Sequence, residues 1–166
     1  MTPGYGVHRG EVGLLDWDAV RERLAKARNY WVATTRSDGG PHVVPVWGLW
    51  LEKAFYFSTD SASRKGRNLA VDPRVVMHLE SGDEVTILEG RAERVAEASV
   101  LGRFADAYEA KYKFRPEVSS AASSVYRVRH EAALAWEEKD FPRTATRWSF
   151  ASGLALDPKR VAKKSH

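Results

Sequence analysis

The sequence predicts an α+β fold in which an antiparallel sheet closes into a small barrel with flanking helices. Three observations indicate this fold: about six strand-like segments follow in meander order, turn signals separate them, and helical patterns stand before the first and after the fifth. The 166 residues, 43% of them hydrophobic, suffice for one compact domain. We therefore expect an N-terminal arm over 1–13, a single barrel domain over 14–152 and a basic C-terminal tail over 153–166.

The first predicted element is an amphipathic helix that begins after Asp16, a suitable N-cap residue. Trp17, Val20 and Leu24 repeat at intervals of three and four, which puts them on one face of that helix. The remaining predicted elements are, in order, strands over 30–36, 42–51 and 54–58, a short helix over 64–71, strands over 74–80 and 84–94, a helix over 97–113, a small-residue linker over 119–124, strands over 125–138 and 145–150, and a loose tail after Gly153.

The run over 42–51 is apolar on both of its faces, so we expect both faces to be covered. Pro45 lies inside this run and lacks the N–H that a strand residue donates, which indicates a sheet edge, a bulge or a ligand lying against the backbone. Trp47, Trp50 and Tyr56 have rings that would stack on a planar ligand, although such residues more often fill a core.

The composition excludes several classes of protein. The absence of cysteine excludes disulfide scaffolds and thiolate metal sites, and the five histidines lack paired spacing, so we expect no metal. The formal net charge is +4, but +3 of it comes from the last ten residues, and the nearly neutral remainder argues against nucleic acid as a partner. Since the chain shows no membrane-span or signal-peptide pattern, we expect a soluble cytoplasmic protein.

The most informative segment for function is residues 58–69. It places three cations, Arg64, Lys65 and Arg67, at the start of a predicted helix, where the helix dipole disfavours each by about 0.3–1 kcal/mol. A bound phosphate would remove that penalty, because cations, backbone N–H groups and hydroxyl groups are the donors that a phosphate needs. The candidate hydroxyl groups just upstream belong to Ser58, Thr59 and Ser63. The alternative is a solvated helix start that Ser63 merely caps.

A series of segments is similar to one family in order and spacing. The segments cover 30–36, 38–47, 55–59, 63–69, 72–75, 89–90 and 144–150. Together they resemble the pyridoxamine 5'-phosphate oxidase-like superfamily, whose fold is the FMN-binding antiparallel split β-barrel. Within it, the sequence is most similar to the F420 (deazaflavin)-dependent oxidoreductases of actinobacteria.

This resemblance implies a homodimer with two cofactor sites at the subunit interface. The cofactor phosphate would be held by Thr59, Ser63, Arg64, Lys65 and Arg67. The cofactor ring would lie along the strand formed by His42, Val43, Val44, Pro45, Val46 and Trp47. The residues that would reach the site from the neighbouring subunit are Tyr126, Arg147 and Trp148. Further cations available for a longer anionic cofactor tail are Arg9, Lys53 and Arg74.

The activity that the resemblance implies is reduction by F420, with hydride transfer from the reduced deazaflavin to a small organic acceptor. The C-terminal substrate signature of the oxidase has no match here, and deazaflavins react poorly with oxygen, so a reductase is favoured over an oxidase. The alternatives are a flavoprotein of the same fold that binds FMN and a non-catalytic flavin or haem carrier. No catalytic residue is identified, and His42, His78 and Tyr126 are candidate proton donors by residue type alone.

Overall fold

A computed structural model describes residues 14–151, 154–155 and 159–160. The helices are α1 (Trp17–Lys26), α2 (Arg64–Val71), α3 (Ala98–Tyr112) and α4 (Phe141–Thr144), the last preceded by a 3-10 turn over Glu138–Asp140. The strands are β1 (Tyr30–Thr35), β2 (Pro41–Val46), β3 (Gly48–Leu51), β4 (Ala54–Asp60), β5 (Arg74–His78), β6 (Glu84–Arg94), β7 (Ser123–Glu137), β8 (Thr146–Ala151), β9 (Leu154–Ala155) and β10 (Lys159–Arg160). The predicted arm over 1–13 lies outside the described residues, as does most of the predicted tail.

All strand pairs of the sheet are antiparallel. The strands follow the order β2-β1-β5-β6-β7, and the long strand β7 then borders both β4 and β8, with β3 paired to β4. Strands β2 and β3 are consecutive in the chain yet lie at opposite ends of this curled sheet, and no pairing joins them in the part of the chain described. The seam between them confirms the predicted α+β split barrel, with an order more complex than a meander.

The prediction of a single strand over 42–51 is wrong, because the structure divides this run into β2 and β3 on either side of Trp47. A side chain at Gly48 would place its Cβ 2.5 Å from the Phe55 ring, so this close approach requires glycine. The N–H of Gly48 donates to the Tyr112 hydroxyl at 3.0 Å, which helps to hold the turned backbone. The chain therefore leaves β1 and joins β4 at this point.

The C-terminal prediction is also corrected in part. Four residues of the predicted loose tail form short strands, because β9 pairs with the end of β8 and β10 pairs with its beginning. The pairing of β10 sets Lys159 and Arg160 opposite Arg147 and Thr146. Backbone pairing with β8 thus forms β9 and β10, although their side chains show no pattern typical of a strand.

Helix α1 packs its predicted face on the barrel. The Asp16 carboxylate accepts a hydrogen bond from the N–H of Asp18 at 3.2 Å, which confirms the predicted N-cap, and Val20 and Leu24 are buried. The main core beneath it includes Tyr30, Phe55, Phe57, Met77 and Trp148. A second core lies under α3 and includes Leu49, Tyr56, Phe104, Tyr108 and Tyr112. None of the helices described has the length and apolar character needed to span a membrane.

Candidate functional site

Strand β2 lies at a sheet edge and leaves an apolar row exposed. It pairs with β1 alone among the described strands, which confirms the edge position that Pro45 indicated. Its residues alternate between half-buried and exposed side chains, and Val43 and Trp47 are 50% and 38% exposed. One face of the strand is therefore not covered by this chain. An exposed apolar row of this kind is typical of a surface that binds a ligand or a partner.

Helix α2 begins at Arg64, as predicted, and the loop before it is folded tightly on the helix start. The Ser63 hydroxyl accepts a hydrogen bond from the N–H of Gly66 at 3.0 Å and lies 2.9 Å from the Thr59 hydroxyl. A Cβ atom at Gly66 would collide with the carbonyl oxygen of Asp60, so the loop requires glycine there. Ser63 thus caps the helix, as the solvated-helix alternative predicts, and the cap leaves the neighbouring cations to be explained.

The three cations of α2 have no partner within the described residues. Arg64 and Arg67 are exposed, Lys65 is half-buried, and none of them makes an ion pair or a side-chain hydrogen bond there. Burial lowers the pKa of Lys65. Arg74 is different, because its guanidinium donates a hydrogen bond to the Asp72 carboxylate at 2.6 Å. This contact lowers the pKa of Asp72 to about 2. The positive charge beside α2 is therefore uncompensated, whereas that of Arg74 is neutralised.

A buried hydrogen bond joins α2 to β1 beside the start of β2. The Asn68 side-chain amide donates to the Thr34 hydroxyl at 2.9 Å, and Thr34 is the register partner of His42. The pKa of His42 is lowered, first by desolvation and then by the positive charges of Arg36, Lys65 and Arg64. The predicted phosphate segment and the predicted ring strand therefore share one electrostatic environment.

Two features of this environment were not predicted. The Nδ1 atom of His42 is enclosed and has no hydrogen-bond partner in the described part of the chain. Arg36 also belongs to the cation cluster, although it lies at the end of β1 and makes no ion pair among the described residues. In the sequence, the signal for Arg36 is its position two residues after Thr34, in the hairpin that joins β1 to β2. We call Arg36, Arg64, Lys65 and Arg67 the cation cluster.

Other predicted site residues lie elsewhere. Trp148 is 1% exposed and packs on Trp17 with ring centroids 5.2 Å apart, so its side chain belongs to the core of this chain. Tyr126 is likewise buried, against Phe57. Arg147 is partly exposed on β8, near Glu89, and three strands separate β8 from β1. Within one chain, Arg147 is not brought to the cation cluster.

The predicted strand and loop residues differ in their access to a ligand. Ser58 is half-buried opposite Val125 in the β4–β7 ladder, and Thr59 is nearly buried beside Ser63. Val44 and Val46 are half-buried on the inner side of β2. Among the aromatic candidates, Trp50 and Tyr56 pack in the two cores. Trp47 remains partly exposed at the end of β2.

Trp47 is held by residues near the end of α3. Its ring stacks on Tyr112 with centroids 4.7 Å apart and an interplanar angle of 5°. The Arg28 guanidinium carbon lies 5.2 Å from the Trp47 centroid. Nearby, Lys111 donates to the Tyr30 hydroxyl at 2.8 Å and to the Gly48 carbonyl at 3.1 Å, and burial lowers the pKa of Lys111 to about 8. This end of β2 is therefore fixed by contacts that sequence reasoning missed.

Of the three proton-donor candidates, His42 is the one with an enclosed ring nitrogen that lacks a hydrogen-bond partner in the described residues. Nδ1 of His78 lies 2.7 Å from the Leu79 carbonyl oxygen, and its ring stacks on Trp31. Tyr126 lies in the core. In the described ranges, no cluster of three or more side chains is arranged to hold a metal ion.

Comparisons with known proteins agree with this geometry. The family model for pyridoxamine 5'-phosphate oxidase matches residues 17–137. A pyridoxine/pyridoxamine 5'-phosphate oxidase from Cupriavidus pinatubonensis is 33% identical over 103 residues, which cover 60% of this chain and 44% of that protein. The match thus spans less than half the length of that relative.

Two solved structures are similar in fold. A conserved hypothetical protein, Rv2991 from Mycobacterium tuberculosis, has a TM-score of 0.65 at 24% identity, covering 74% of this chain and 85% of that one. A structure described as an F420 reductase has a TM-score of 0.55 at 26% identity, covering 68% of this chain and 94% of that one. The family model matches most of the barrel, from α1 to the end of β7. The chain therefore belongs to the pyridoxamine 5'-phosphate oxidase family.

Proposed function

We infer that this protein is an F420-dependent oxidoreductase that transfers a hydride between the deazaflavin and a small organic acceptor, acting as a homodimer. The observation that carries the proposal is the cation cluster, which lies without ion-pair partners in the described residues beside the open strand β2. Family membership supports redox chemistry, and the 26% identity to an F420 reductase structure supports the choice of cofactor.

The residues present fit an anionic cofactor with a flat ring. Arg64, Lys65 and Arg67, together with Arg36, would hold the phosphate, and each hydrogen bond to a charged group contributes about 1.5–3 kcal/mol. The exposed row of Val43, Pro45 and Trp47 offers an apolar surface against which a flat ring could lie. The half-buried ring of His42 offers a further polar group on the same strand.

The protein's part in the reaction follows from these residues. The cofactor supplies the hydride chemistry when bound. The cation cluster neutralises the phosphate, β2 fixes the orientation of the ring, and the apolar row excludes water from that side. The same row supports the homodimer, because a second subunit lying over Val43 and Pro45 would cover a face that one chain leaves open.

An FMN-binding flavoprotein is the second candidate. The relative from Cupriavidus pinatubonensis is named as a pyridoxine/pyridoxamine 5'-phosphate oxidase, and the cation cluster would serve the phosphate of either cofactor. The two candidates differ in the ring that β2 accepts.

A fluorescence titration of the purified protein with F420 and, separately, with FMN tests both candidates, after an absorbance spectrum of the protein as isolated. Tight binding of F420 with weak binding of FMN supports the reductase and justifies a screen of unsaturated acceptors. Preference for FMN transfers the proposal to the flavoprotein. If neither binds, the oxidoreductase proposal is wrong, and haem is the next ligand to titrate.

A further inference from the structure

His42 lies where three elements meet. It is the second residue of β2, its register partner on β1 is Thr34, and the Thr34 hydroxyl accepts the hydrogen bond from Asn68 of α2. A side chain at this position is therefore fixed relative to α2, which carries Arg64, Lys65 and Arg67 of the cation cluster. The ring is partly buried, and its Nδ1 atom is enclosed without a hydrogen-bond partner in the described residues.

The charges that act on His42 are all positive. Arg36, the residue after β1, and Lys65 and Arg64 of α2 are the charged groups that lower its pKa. Together with desolvation, which is the largest effect, they lower the pKa of His42 below its usual 6.5. The imidazole is therefore neutral at neutral pH in the ligand-free protein. An anion placed among the same cations would offset part of their positive potential at the ring and so raise the pKa of His42.

We propose that His42 takes up a proton when the phosphate end of the cofactor binds beside α2, so that cofactor affinity falls as the pH rises through neutrality. The proposal rests on the proposed function, since it requires an anion at the cation cluster. In this proposal, His42 is a residue that binds the cofactor in a pH-dependent way, and it is not the source of the proton for the acceptor.

The physical reason is a difference in environment between the two states. In the free protein, a charged imidazole is repelled by three cations and is poorly solvated. In the complex, the phosphate charge attracts it, and a protonated ring donates from both of its nitrogens.

The direction of the pH effect follows from linkage. Because the pKa of His42 is higher in the complex than in the free protein, binding consumes protons. Affinity is highest below the pKa of the free protein and falls by at most about tenfold per pH unit up to the pKa of the complex. It is constant above that value. Lys65, whose pKa is also lowered by burial, gives the same direction of change, but in the alkaline range.

The test is a set of F420 titrations between about pH 5.5 and 8.5, the range in which histidine titrates, on the wild type, His42→Gln and His78→Gln. F420 is the probe that the proposed function names. Because the cofactor has ionisable groups of its own, the readout is the difference in pH dependence between the wild type and His42→Gln. Glutamine keeps a hydrogen-bond donor without the titration, and His78→Gln is the matched control, since Nδ1 of His78 already has Leu79 as its partner. Calorimetry in two buffers of different ionisation enthalpy counts the protons taken up.

We expect the wild type and His78→Gln to lose affinity with rising pH and to take up a proton on binding. His42→Gln should lose less affinity over this range than the wild type and should take up fewer protons on binding. Should the protein prefer FMN, the same comparison is made from the difference in proton uptake between the wild type and His42→Gln at one pH.

The outcomes separate the two proposals. The role of His42 is overturned if binding by the wild type does not change with pH, or if the wild type and His42→Gln take up equal numbers of protons. Either result leaves the cofactor proposal standing. Failure of the wild type to bind F420 or FMN at any pH overturns the proposed function and the present inference with it.

Discussion

A half-buried lysine lies near each end of β2, and the two differ in their partners. At the Trp47 end, Lys111 donates to Tyr30 and Gly48 and lies 4.8 Å and 5.1 Å from the centroids of the Tyr30 and Tyr112 rings. At the His42 end, Lys65 makes neither a hydrogen bond nor an ion pair in the described part of the chain. Burial lowers the pKa of both lysines.

The difference distinguishes a structural cation from one that awaits a ligand. Desolvating a cation costs free energy, and hydrogen bonds and aromatic faces offset part of that cost for Lys111, whose pKa still falls to about 8. Nothing in the described residues offsets it for Lys65, so folding retains that cost. Costs of this kind are tolerated where a ligand removes them, which is the reason to assign Lys65 and not Lys111 to the anion site.

The sharpest test of this comparison removes the cations of α2. Lys65→Ala and Arg64→Ala should each weaken cofactor binding by about 1.5–3 kcal/mol, because each removes a hydrogen bond between charged groups. Arg64→Ala should leave the free energy of unfolding within about 0.5 kcal/mol of the wild type, as for surface changes in general. Lys65→Ala should not lower it, because the substitution removes the desolvation cost of a half-buried cation. Fluorescence titration and urea unfolding measure the two quantities.

Lys26→Ala is the matched control, since Lys26 is an exposed cation on α1 that lies 4.0 Å from Glu22. It should leave cofactor affinity unchanged. Equal affinities for all three variants and the wild type would place the phosphate elsewhere and remove the distinction between the two ends of β2.

Overpacking at Gly48 tests how the Trp47 end is built. Gly48→Ala should lower the free energy of unfolding by about 1–3 kcal/mol, because the added Cβ would lie 2.5 Å from the Phe55 ring and 2.8 Å from the Tyr56 carbonyl oxygen. Gly102→Ala on α3 is the control, since its Cβ would meet no atom within 4 Å and alanine favours a helix. Urea unfolding should rank the control at or above the wild type, and the opposite order would contradict the packing described.

The hydroxyl of Tyr112 is expected to have a comparable or slightly smaller effect. It accepts from the N–H of Gly48 and lies 2.7 Å and 2.8 Å from the carbonyl oxygens of Arg28 and Gly48. Tyr112→Phe would leave the buried N–H of Gly48 without this acceptor and lower the free energy of unfolding by about 1–3 kcal/mol.

Tyr108→Phe makes the same chemical change one turn earlier on α3, where no hydrogen bond of the hydroxyl is found in the described residues. Its free energy of unfolding should match the wild type. Equal losses in the two variants would show that the hydroxyl bonds of Tyr112 do not stabilise the β2–β3 turn.

The smallest expected effect is the pH dependence that Lys111 adds to stability. Its pKa falls from 10.5 to about 8 on folding, so between these values the unfolded chain binds more protons than the folded one. Stability should therefore rise from pH 8 towards pH 10, until tyrosines with raised pKa values oppose it. Urea unfolding of Lys111→Met at several pH values should show a shallower rise than the wild type, and an unchanged slope would contradict the assignment.

Much of the fold could be predicted because local patterns agree with tertiary packing. The bounds of α2 and β6 match the prediction, since turn residues and apolar periodicity mark both ends of each. The break at Trp47 could not be predicted, because the apolar pattern continues through it. What divides the run is the approach of Gly48 to Phe55, a contact between strands that no local signal records.

The candidate site shows the same division. The cations of α2 are adjacent in sequence and conflict with the helix dipole, so they could be identified without a structure. The β1–β2 hairpin brings Arg36 to the same site. Its membership of the cation cluster becomes evident only from the pairing of β1 with β2 and from its effect on the pKa of His42. Trp148 has a ring suited to stacking, but residue type does not reveal that Trp17 covers it.

The prolines of β2 have a consequence for how this protein meets other chains. Pro41 and Pro45 leave two of its six residues without an N–H, at the outer strand of the sheet. An unprotected outer strand invites another polypeptide to extend the sheet and start aggregation, and proline blunts that tendency. Strand β2 can therefore stay accessible to a small molecule or a subunit face while resisting the addition of a foreign strand.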